Sequence, residues 1–428
     1  MRKLLSFALG AGTFAALVIA CSSSDTRPPP AQNAEGGTPI EGGGLTDVTD
    51  DVVPKSCISG MKENDETDVD CGGKSCPKCA IGKICAAKTD CEEDADCETK
   101  VGAKTGVCAK CNDGIKTPGS DETDVDCGGS CKPCGVGKTC KVSADCAAPG
   151  SDPVACSMLG TGLACACPPG MTIIALSTGG AYCVDQAEVS KGQYNAFITS
   201  SPSTADQEGA CKQANNTFIP RAAWPPATVP TSSDFTFGLP VHYVDWCDAY
   251  AYCKSKGRRL CGTLDGKPVT PGPANNMAAS DAWYNACSAQ GKQDYPYAVT
   301  GYQQMTCNGD GVGAVGKPMQ ANQRSQGFGH PENQDDGVYL VVAADGVTPE
   351  HNGCQGGSTF IYQMSGNVAE WEDSCDDATA TSPCRVRGGS YKANNDATAL
   401  RCDAVRSVPR MPTDDALLKD IGFRCCLY

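Results

Sequence analysis

The distribution of apolar residues divides the chain into stretches of different character. A positively charged start, Met1 to Lys3, precedes an apolar run from Leu4 to Ala20 that is interrupted only by small residues. The stretch from Asp25 to Pro54 has almost no large apolar side chains, and the region from Cys57 to Cys156 has few. From about Cys167 onward, aromatic and aliphatic residues return in short runs. This pattern predicts an exported chain with an unfolded spacer, a core-poor middle region and a larger folded domain.

The N-terminal apolar run has the features of a secretory signal, residues 1–20. It is too short to span a bilayer comfortably, and it closes on Ala20 directly before Cys21. This arrangement resembles the bacterial lipobox, in which the cysteine becomes the new N-terminus and carries acyl chains. Cys21 is therefore the predicted lipidation site, because two or more chains at about 0.8 kcal/mol per buried CH₂ anchor a protein stably. An ordinary cleaved signal with an incidental cysteine is the alternative.

Residues 21–55 are predicted to be a flexible tether, since Pro, Gly, Thr and Asp prevail there. No later apolar run is long enough to cross a membrane, so the lipid is the expected membrane contact. Ser22 after the cysteine favours the outer membrane of a Gram-negative bacterium. The predicted location is the cell envelope.

The middle region is a tandem repeat, predicted at residues 56–110 and 111–166. The octad ETDVDCGG occurs at residues 66–73 and again at 122–129, and the cysteines that follow recur at an offset of about 55 residues. Apolar content is low, so each copy needs covalent cross-links to fold. The repeats resemble Cys-rich modules on secreted proteins of predatory, multicellular Gram-negative bacteria, which implies a surface stalk or an adhesion module.

Cysteine usage indicates an oxidising compartment. The chain has 31 cysteines, and setting Cys21 aside leaves an even number, as complete pairing requires. In an exported chain this composition predicts a disulfide framework. The Cys-x-x-Cys spacings at residues 76–79 and 131–134 also match zinc ribbons, but export favours disulfides. The connectivity within the repeats stays open.

Acidic residues dominate the charge of the chain. The formal net charge of −15 argues against a nucleic-acid partner, which needs a basic surface. Alternating carboxylates followed by Gly-Gly are a pattern that suits Ca²⁺, although the bidentate Glu of an EF-hand loop is missing; a solvated acidic turn is the alternative. These carboxylates are Asp65, Glu66, Asp68 and Asp70 in the first copy and Asp121, Glu122, Asp124 and Asp126 in the second.

The last part of the chain carries motifs instead of repeats. The apolar run Thr172 to Leu176 predicts a strand, and Ala249 to Cys253 has helical character. Long periodic segments are otherwise rare. In chain order the motifs are EVSKGQY at 188–194, PVHYVDW at 240–246, AYAYC at 249–253, GRRL at 257–260, MSGNVAEW at 364–371, RGGSY at 387–391 and IGFRC at 421–425.

In this order the motifs resemble the formylglycine-generating enzyme family, whose domain is also called the sulfatase-modifying factor domain. The resemblance assigns residues 167–428 to such a domain. It implies an α+β, C-type-lectin-like fold with little regular secondary structure. It also implies the disulfides Cys253 with Cys425 and Cys287 with Cys402. The neighbour of Cys425, Cys426, leaves one of these pairings uncertain, and the easiest local pair to imagine is Cys375 with Cys384.

The chemistry of the family is not expected to carry over with the fold. Its oxidases bind copper through two cysteines after the GGS-aromatic motif, and thiolate suits Cu(I). The matching positions here hold Ala393 and Thr398, so no copper is expected. A non-haem iron branch needs a cluster of His and carboxylate ligands, whereas His242, His330 and His351 are widely separated in the sequence.

A structural Ca²⁺ site is the family feature that is retained in part. The family binds Ca²⁺ around its GN-x-x-E segment through backbone carbonyls and a carboxylate, and these are ligands that suit a hard cation. The matching positions are Gln363, Gly366, Val368 and Glu370. Gln363 stands in place of the usual Asn, and a merely structural turn is the alternative.

The leading hypothesis is a surface-anchored lipoprotein whose catalytically silent domain binds an unknown extracellular or envelope ligand. The alternatives are a sulfatase-modifying oxidase, another enzyme of the same fold, and an envelope structural protein with no specific ligand. In this fold class the segment between GGSY and GFRC borders the ligand face, where polar groups suit recognition; a solvated polar loop is the other interpretation. The predicted ligand residues are Ser390, Tyr391, Asn394, Asn395 and Asp396.

Overall fold

Regular secondary structure is short and sparse, as the rarity of long periodic segments predicts. The computed structural model describes residues 54–428 except 94, 99–102, 117–120, 149, 151, 208, 222–238, 273–275, 298–300, 303–306, 308, 310–353 and 394–395. Outside the described residues lie the predicted signal, Cys21, almost all of the tether, His330, His351, Asn394 and Asn395.

Four helices and thirteen strands occur in the part of the chain that the structure describes. The predicted strand and helix are both present, as β6 and α3. Among these helices α3, with ten residues, is the longest, and none has the length and apolarity to cross a membrane. The helices are α1 (Lys191–Thr199), α2 (Gly209–Ala214), α3 (Trp246–Ser255) and α4 (Ala282–Cys287). The strands are β1 (Ile84–Cys85), β2 (Asp96–Glu98), β3 (Gly106–Ala109), β4 (Cys156–Leu159), β5 (Gly162–Cys165), β6 (Met171–Ala175), β7 (Ala181–Asp185), β8 (Arg259–Leu260), β9 (Ala369–Cys375), β10 (Pro383–Arg387), β11 (Val405–Pro409), β12 (Ile421–Phe423) and β13 (Cys425–Leu427).

Disulfides replace much of the missing secondary structure. Fifteen of them take up all thirty cysteines other than Cys21. Each of the two repeats uses eight cysteines in the same order: first with third, second with fourth, fifth with seventh and sixth with eighth. The centre of each repeat is made largely of these buried sulfurs, which explains how it folds with so few apolar residues.

Two four-stranded sheets organise the C-terminal domain. One has the order β6-β7-β13-β8, and the other has the order β11-β10-β9-β12, in which β12 runs parallel to β9. The sequence motifs meet on the second sheet, because MSGNVAEW leads into β9, RGGSY follows β10 and IGFRC forms β12. Glu370 is in register with both Arg387 of β10 and Gly422 of β12.

The two longer helices, α1 and α3, each begin at a capping residue that belongs to one of the sequence motifs. Ser190 caps α1 in a capping box with Gln193, and Asp245 caps α3 in a capping box with Asp248. Both helices pack on β12 through a cluster of buried aromatic rings. The rings of Tyr194 and Tyr252 lie 5.7 Å apart, and those of Tyr252 and Phe423 lie 5.4 Å apart.

The second repeat packs directly on the C-terminal domain. Val136 of the repeat is buried together with Met171, Cys183 and Leu427 of the domain. Arg258 bridges the two, since its guanidinium lies 2.6 Å from Asp152 of the repeat and 2.6 Å from Asp185 of β7. The repeat is therefore part of the folded body that holds the site described below.

Candidate functional site

A cavity of about 470 Å³ opens where the RGGSY motif meets strand β11. We call it the Asp420 pocket, after the carboxylate at its floor. Small side chains leave the space open, because five alanines line it, and Val405 and Leu417 add exposed apolar surface. Its lining residues are Ala369, Val386, Gly389, Ser390, Lys392, Ala393, Asp396, Ala399, Ala404, Val405, Arg406, Ser407, Val408, Ala416, Leu417 and Asp420.

Glycines bring the chain close to this pocket. Gly388 and Gly389 follow β10 with φ of +83° and +63°. A Cβ on Gly389 would lie 2.5 Å from the carbonyl oxygen of Ala399, on the facing side of the turn. Only glycine allows this backbone conformation together with so close an approach, so RGGSY is needed for local geometry.

Two cations share one buried carboxylate in the Asp420 pocket. Asp420 lies 3.0 Å from Arg406 Nη1 and 3.4 Å from Lys392 Nζ, and it accepts a hydrogen bond of 2.5 Å from the Ser390 hydroxyl. Burial favours protonation of Asp420, but Arg406, the Ser390 hydroxyl and Lys392 together lower its pKa below the ordinary value. The carboxylate is therefore ionised near neutral pH. The hydroxyl and amide of Thr398 lower the pKa of Asp396, so this second carboxylate of the pocket is ionised too and the four charges balance.

The predicted ligand residues occupy different places relative to this pocket. Ser390 lies inside it, bonded to Asp420, and Asp396 lines it from an exposed position. Tyr391 packs instead against buried Leu239 and Val368. Asn394 and Asn395 lie outside the described residues, so their assignment stays a prediction.

Sequence reasoning did not single out the charged centre of the pocket. Lys392 and Arg406 belong to the segment between GGSY and GFRC, but their partner Asp420 lies 28 and 14 residues further along the chain. No local pattern marks three such residues as neighbours. They meet because β10, β11 and β12 belong to one sheet.

The positions of the family's copper thiols lie at the same pocket. Ala393 lines it, and Thr398 directly precedes Ala399, which lines it too. The hydroxyl and amide of Thr398 both donate to Asp396 Oδ1, at 2.6 and 2.9 Å. The nearest cysteine in sequence, Cys402, is disulfide-bonded to Cys287. The described residues offer no thiolate for Cu(I) here.

The four predicted Ca²⁺ ligands lie on the loop before β9 and at the start of that strand. Glu370 is already bound by cationic and neutral donors. Its Oε2 accepts from Arg424 Nε and from Trp283 Nε1, both at 2.7 Å, and its Oε1 accepts from Arg424 Nη2 at 2.7 Å. The Gln363 carbonyl also accepts from Arg424. A cation on Glu370 would lie against a guanidinium, so this carboxylate does not fit the role.

A second buried carboxylate beside this loop lacks a cationic partner among the described residues. Glu188 accepts hydrogen bonds from Val368 N at 3.2 Å and Asn367 Nδ2 at 3.1 Å. Burial, and then the nearby charge of Glu370, raises its pKa well above the ordinary value, and Arg424 offsets this only in part. The Ca²⁺ site at Gln363, Gly366, Val368 and Glu370 stays a prediction, and Glu188 is a carboxyl beside it that no guanidinium contacts among the described residues.

The acidic residues of the repeats bind their own backbone. Asp68 Oδ2 accepts from Ile84 N at 2.6 Å, and Asp124 Oδ2 accepts from Thr139 N at 2.7 Å. Asp70 and Asp126 likewise each accept from a glycine amide, and Asp65 and Asp121 from the loop after Gly-Gly. The identical octads are explained by this capping pattern, and Ca²⁺ binding there stays a prediction.

His242, whose ring is buried, is the histidine that the structure describes. Burial, and then the charge of Lys191, lowers its pKa to about 3, so it is neutral near physiological pH. Its ring lies 5.0 Å from that of Tyr243. No cluster of histidines for an iron centre is found in the described part of the chain.

Comparisons with known proteins match the C-terminal domain. A family model described as "Sulfatase-modifying factor enzyme 1-like domain" matches residues 177–427. The chain is 26% identical over 210 residues to "Inactive C-alpha-formylglycine-generating enzyme 2" of Mus musculus, and the match covers 48% of this chain and 55% of that protein. The chain thus spans about half the length of this relative.

Two solved structures are also similar. "Crystal Structure of CarF" has a TM-score of 0.31 and 18% identity, and the match covers 58% of this chain and 86% of the other. "Treponema denticola variable protein 1" has a TM-score of 0.30 and 14% identity, and the match covers 63% of this chain and 97% of the other.

Proposed function

The chain belongs to the family of sulfatase-modifying factor enzyme 1-like domains, and from this premise we propose that it is a catalytically silent member that acts as a binding module on the bacterial surface. The observation that carries the proposal is at the Asp420 pocket. Ala393 and Thr398 stand where the family's oxidases hold copper thiols, and every cysteine other than Cys21 is in a disulfide. Thiol-based oxidation of a substrate has no side chain to support it there.

The proposal includes an anchor and a stalk. Acyl chains on Cys21 would hold the protein on the outer membrane, and the tether and the two repeats would carry the domain outward. The packing of Val136 and Asp152 of the second repeat on the domain supports this arrangement, because it lets the stalk present the pocket in a fixed orientation. The ligand on this proposal is an extracellular or envelope molecule.

Copper binding and peptide oxidation test the silent-domain proposal. The mature chain with Cys21→Ser is titrated with Cu(I) and assayed for oxidation of a Cys-containing sulfatase-motif peptide. We expect neither tight copper binding nor turnover. The matched control is the same chain with Ala393→Cys and Thr398→Cys, which restores a thiol pair and is expected to bind Cu(I). Turnover by the parent chain would instead establish an oxidase, the alternative function.

Saturable binding tests the second half of the proposal. Fluorescently labelled mature chain is added to whole cells and to isolated envelopes of a Gram-negative bacterium. A binding module gives a saturable isotherm that unlabelled protein competes away. A linear, uncompeted signal would favour an envelope structural protein with no specific ligand.

A further inference from the structure

We infer that the Asp420 pocket binds an organic monoanion, a carboxylate carried on a small hydroxylated molecule such as an acidic sugar, through Lys392 and Arg406. The inference deepens the proposed function, on which it rests, because it names the chemistry of the ligand. It rests on three observations on the described residues: exposed cations, unused donors and open volume.

The cations of the pocket are far more exposed than the carboxylate at its floor. The side chains of Lys392 and Arg406 are 39% and 44% exposed, whereas that of Asp420 is only 3% exposed. Solvent therefore meets the two cations and not the carboxylate that they share. Asp396, which is exposed and ionised, brings the formal charge of the four groups to zero, so an anion is held by contact with the two exposed cations.

Both cations keep donors for a ligand. Arg406 contacts Asp420 through Nη1, and its Nε and Nη2 have no partner among the described residues. Lys392 Nζ makes one contact of 3.4 Å with the same carboxylate and lies over the Tyr391 ring. A guanidinium edge beside an ammonium is a pairing that binds a carboxylate with charge-assisted hydrogen bonds.

The walls fit a compact polar molecule. The volume of about 470 Å³ lies within the roughly 300–1,000 Å³ that is usual for small-molecule sites. Small side chains leave room for the ligand, and Val405 and Leu417 offer apolar surface to a ring face. The small residues are Ala369, Ala393, Ala399, Ala404 and Ala416. Asp396 Oδ1 accepts hydrogen bonds from Thr398 in its own turn, which leaves Oδ2 to accept from a ligand hydroxyl.

The balance of charge in the pocket limits the charge of the ligand. Asp420 and Asp396 already balance Lys392 and Arg406, so every negative charge on a ligand is added to a neutral site. A phosphate monoester carries close to two negative charges at neutral pH, and it would place about twice the net negative charge of a carboxylate beside buried Asp420. A carboxylate therefore fits better than a phosphate.

The test compares D-glucuronate with D-glucose, which has the same ring without the carboxylate. Binding to the mature Cys21→Ser chain is measured by calorimetry and by ligand-observed NMR at low and high salt. We expect saturable binding of glucuronate that weakens with salt, and none of glucose. Glucuronate no tighter than glucose, or binding insensitive to salt, would overturn the inference.

Two substitutions move the affinity in opposite directions. Arg406→Gln removes the positive charge and the paired donors of the guanidinium edge, and is expected to weaken glucuronate binding about tenfold. Asp420→Asn removes the competing anion and is expected to tighten binding, an effect that a merely structural role would not produce. The control is Arg401→Gln, because Arg401 pairs with Asp403 and Asp294 away from the pocket and should leave affinity unchanged.

The failures of the two proposals are distinguishable. If labelled protein binds cells saturably and Arg406→Gln does not affect it, while glucuronate does not bind, the binding function stands and the monoanion inference fails. If neither cells nor glucuronate bind, both fail. Binding of glucuronate by the Asp420→Asn variant alone would also refute the inference, since Asp420 would then fill the site in the native chain.

Discussion

Two disulfides at the last strand are expected to stabilise the domain cooperatively, and the effect can be measured. Cys253 of α3 binds Cys425, and Cys261 after β8 binds the next residue, Cys426. They hold the same two parts of the chain together across sequence separations of 172 and 165 residues. Either bridge alone keeps that connection. Removing one should therefore lower the free energy of unfolding far less than its long loop suggests.

Loop-closure entropy gives the magnitude. With one bridge in place, the other closes a ring of only about nine residues, which the chain-entropy relation values at about 2.6 kcal/mol. Once one bridge is gone, the remaining bridge closes a ring of about fifty residues with Cys287–Cys402, the next bridge inward. Removing it as well therefore costs about 4 kcal/mol more. The double removal should therefore cost about 6.7 kcal/mol, against about 5.2 for the sum of the single removals.

The assay is urea unfolding of three variants of the mature chain, each bridge replaced by paired alanines, singly and together. The three variants and the parent chain form a double-mutant cycle. The packing lost with each pair of sulfurs is the same in the single and the combined variants, so it cancels from the coupling energy. The control bridge is Cys375–Cys384, which closes its own loop with a separation of 9 residues and should add to either single removal without coupling. Strict additivity of the two neighbouring bridges would refute the shared-loop reasoning.

Further predictions concern the anchor, the buried acid and the glycine turn. Cys21→Ser should move the protein from the membrane fraction to the soluble fraction and abolish labelling by a palmitate analogue; retention in the membrane would contradict lipidation. Because burial raises the pKa of Glu188, the folded state holds its proton more tightly than the unfolded state, and stability should fall as pH rises above the ordinary carboxyl value. Glu188→Gln should lessen that fall in urea unfolding above the ordinary carboxyl pKa, and other buried acids whose pKa is raised, such as Asp248 and Glu372, should retain the rest of it. Added Ca²⁺ should stabilise the native chain but not this variant, and no effect on either would count against the calcium site. Gly389→Ala should lower the thermal midpoint more than Gly180→Ala. Both glycines have a positive φ, so the left-handed conformation costs alanine about 1–2 kcal/mol at either position, but at Gly389 its Cβ would also meet the Ala399 carbonyl. Equal shifts would show that this carbonyl gives way.

The sequence alone determined the features that depend on local pattern. The even number of cysteines apart from Cys21 indicates complete pairing, and the repeated octad at 66–73 and 122–129 identifies two similar modules. The ordered motifs from residue 188 to residue 425 identify the domain family, because a family's turns and caps need particular residues at particular places. Gly389 and Asp245 are examples, one at a positive φ and one at a helix N-terminus.

Tertiary structure alone decided which distant groups meet. Eight cysteines in a repeat allow on the order of a hundred pairings, and only the fold selects one of them. Glu370 fits the calcium motif by its sequence position, but β12 and β13 bring Arg424 onto its carboxylate. The Asp420 pocket joins Lys392, Arg406 and Asp420 in the same way. Electrostatic partners depend on distance in space, and sequence pattern records distance only along the chain.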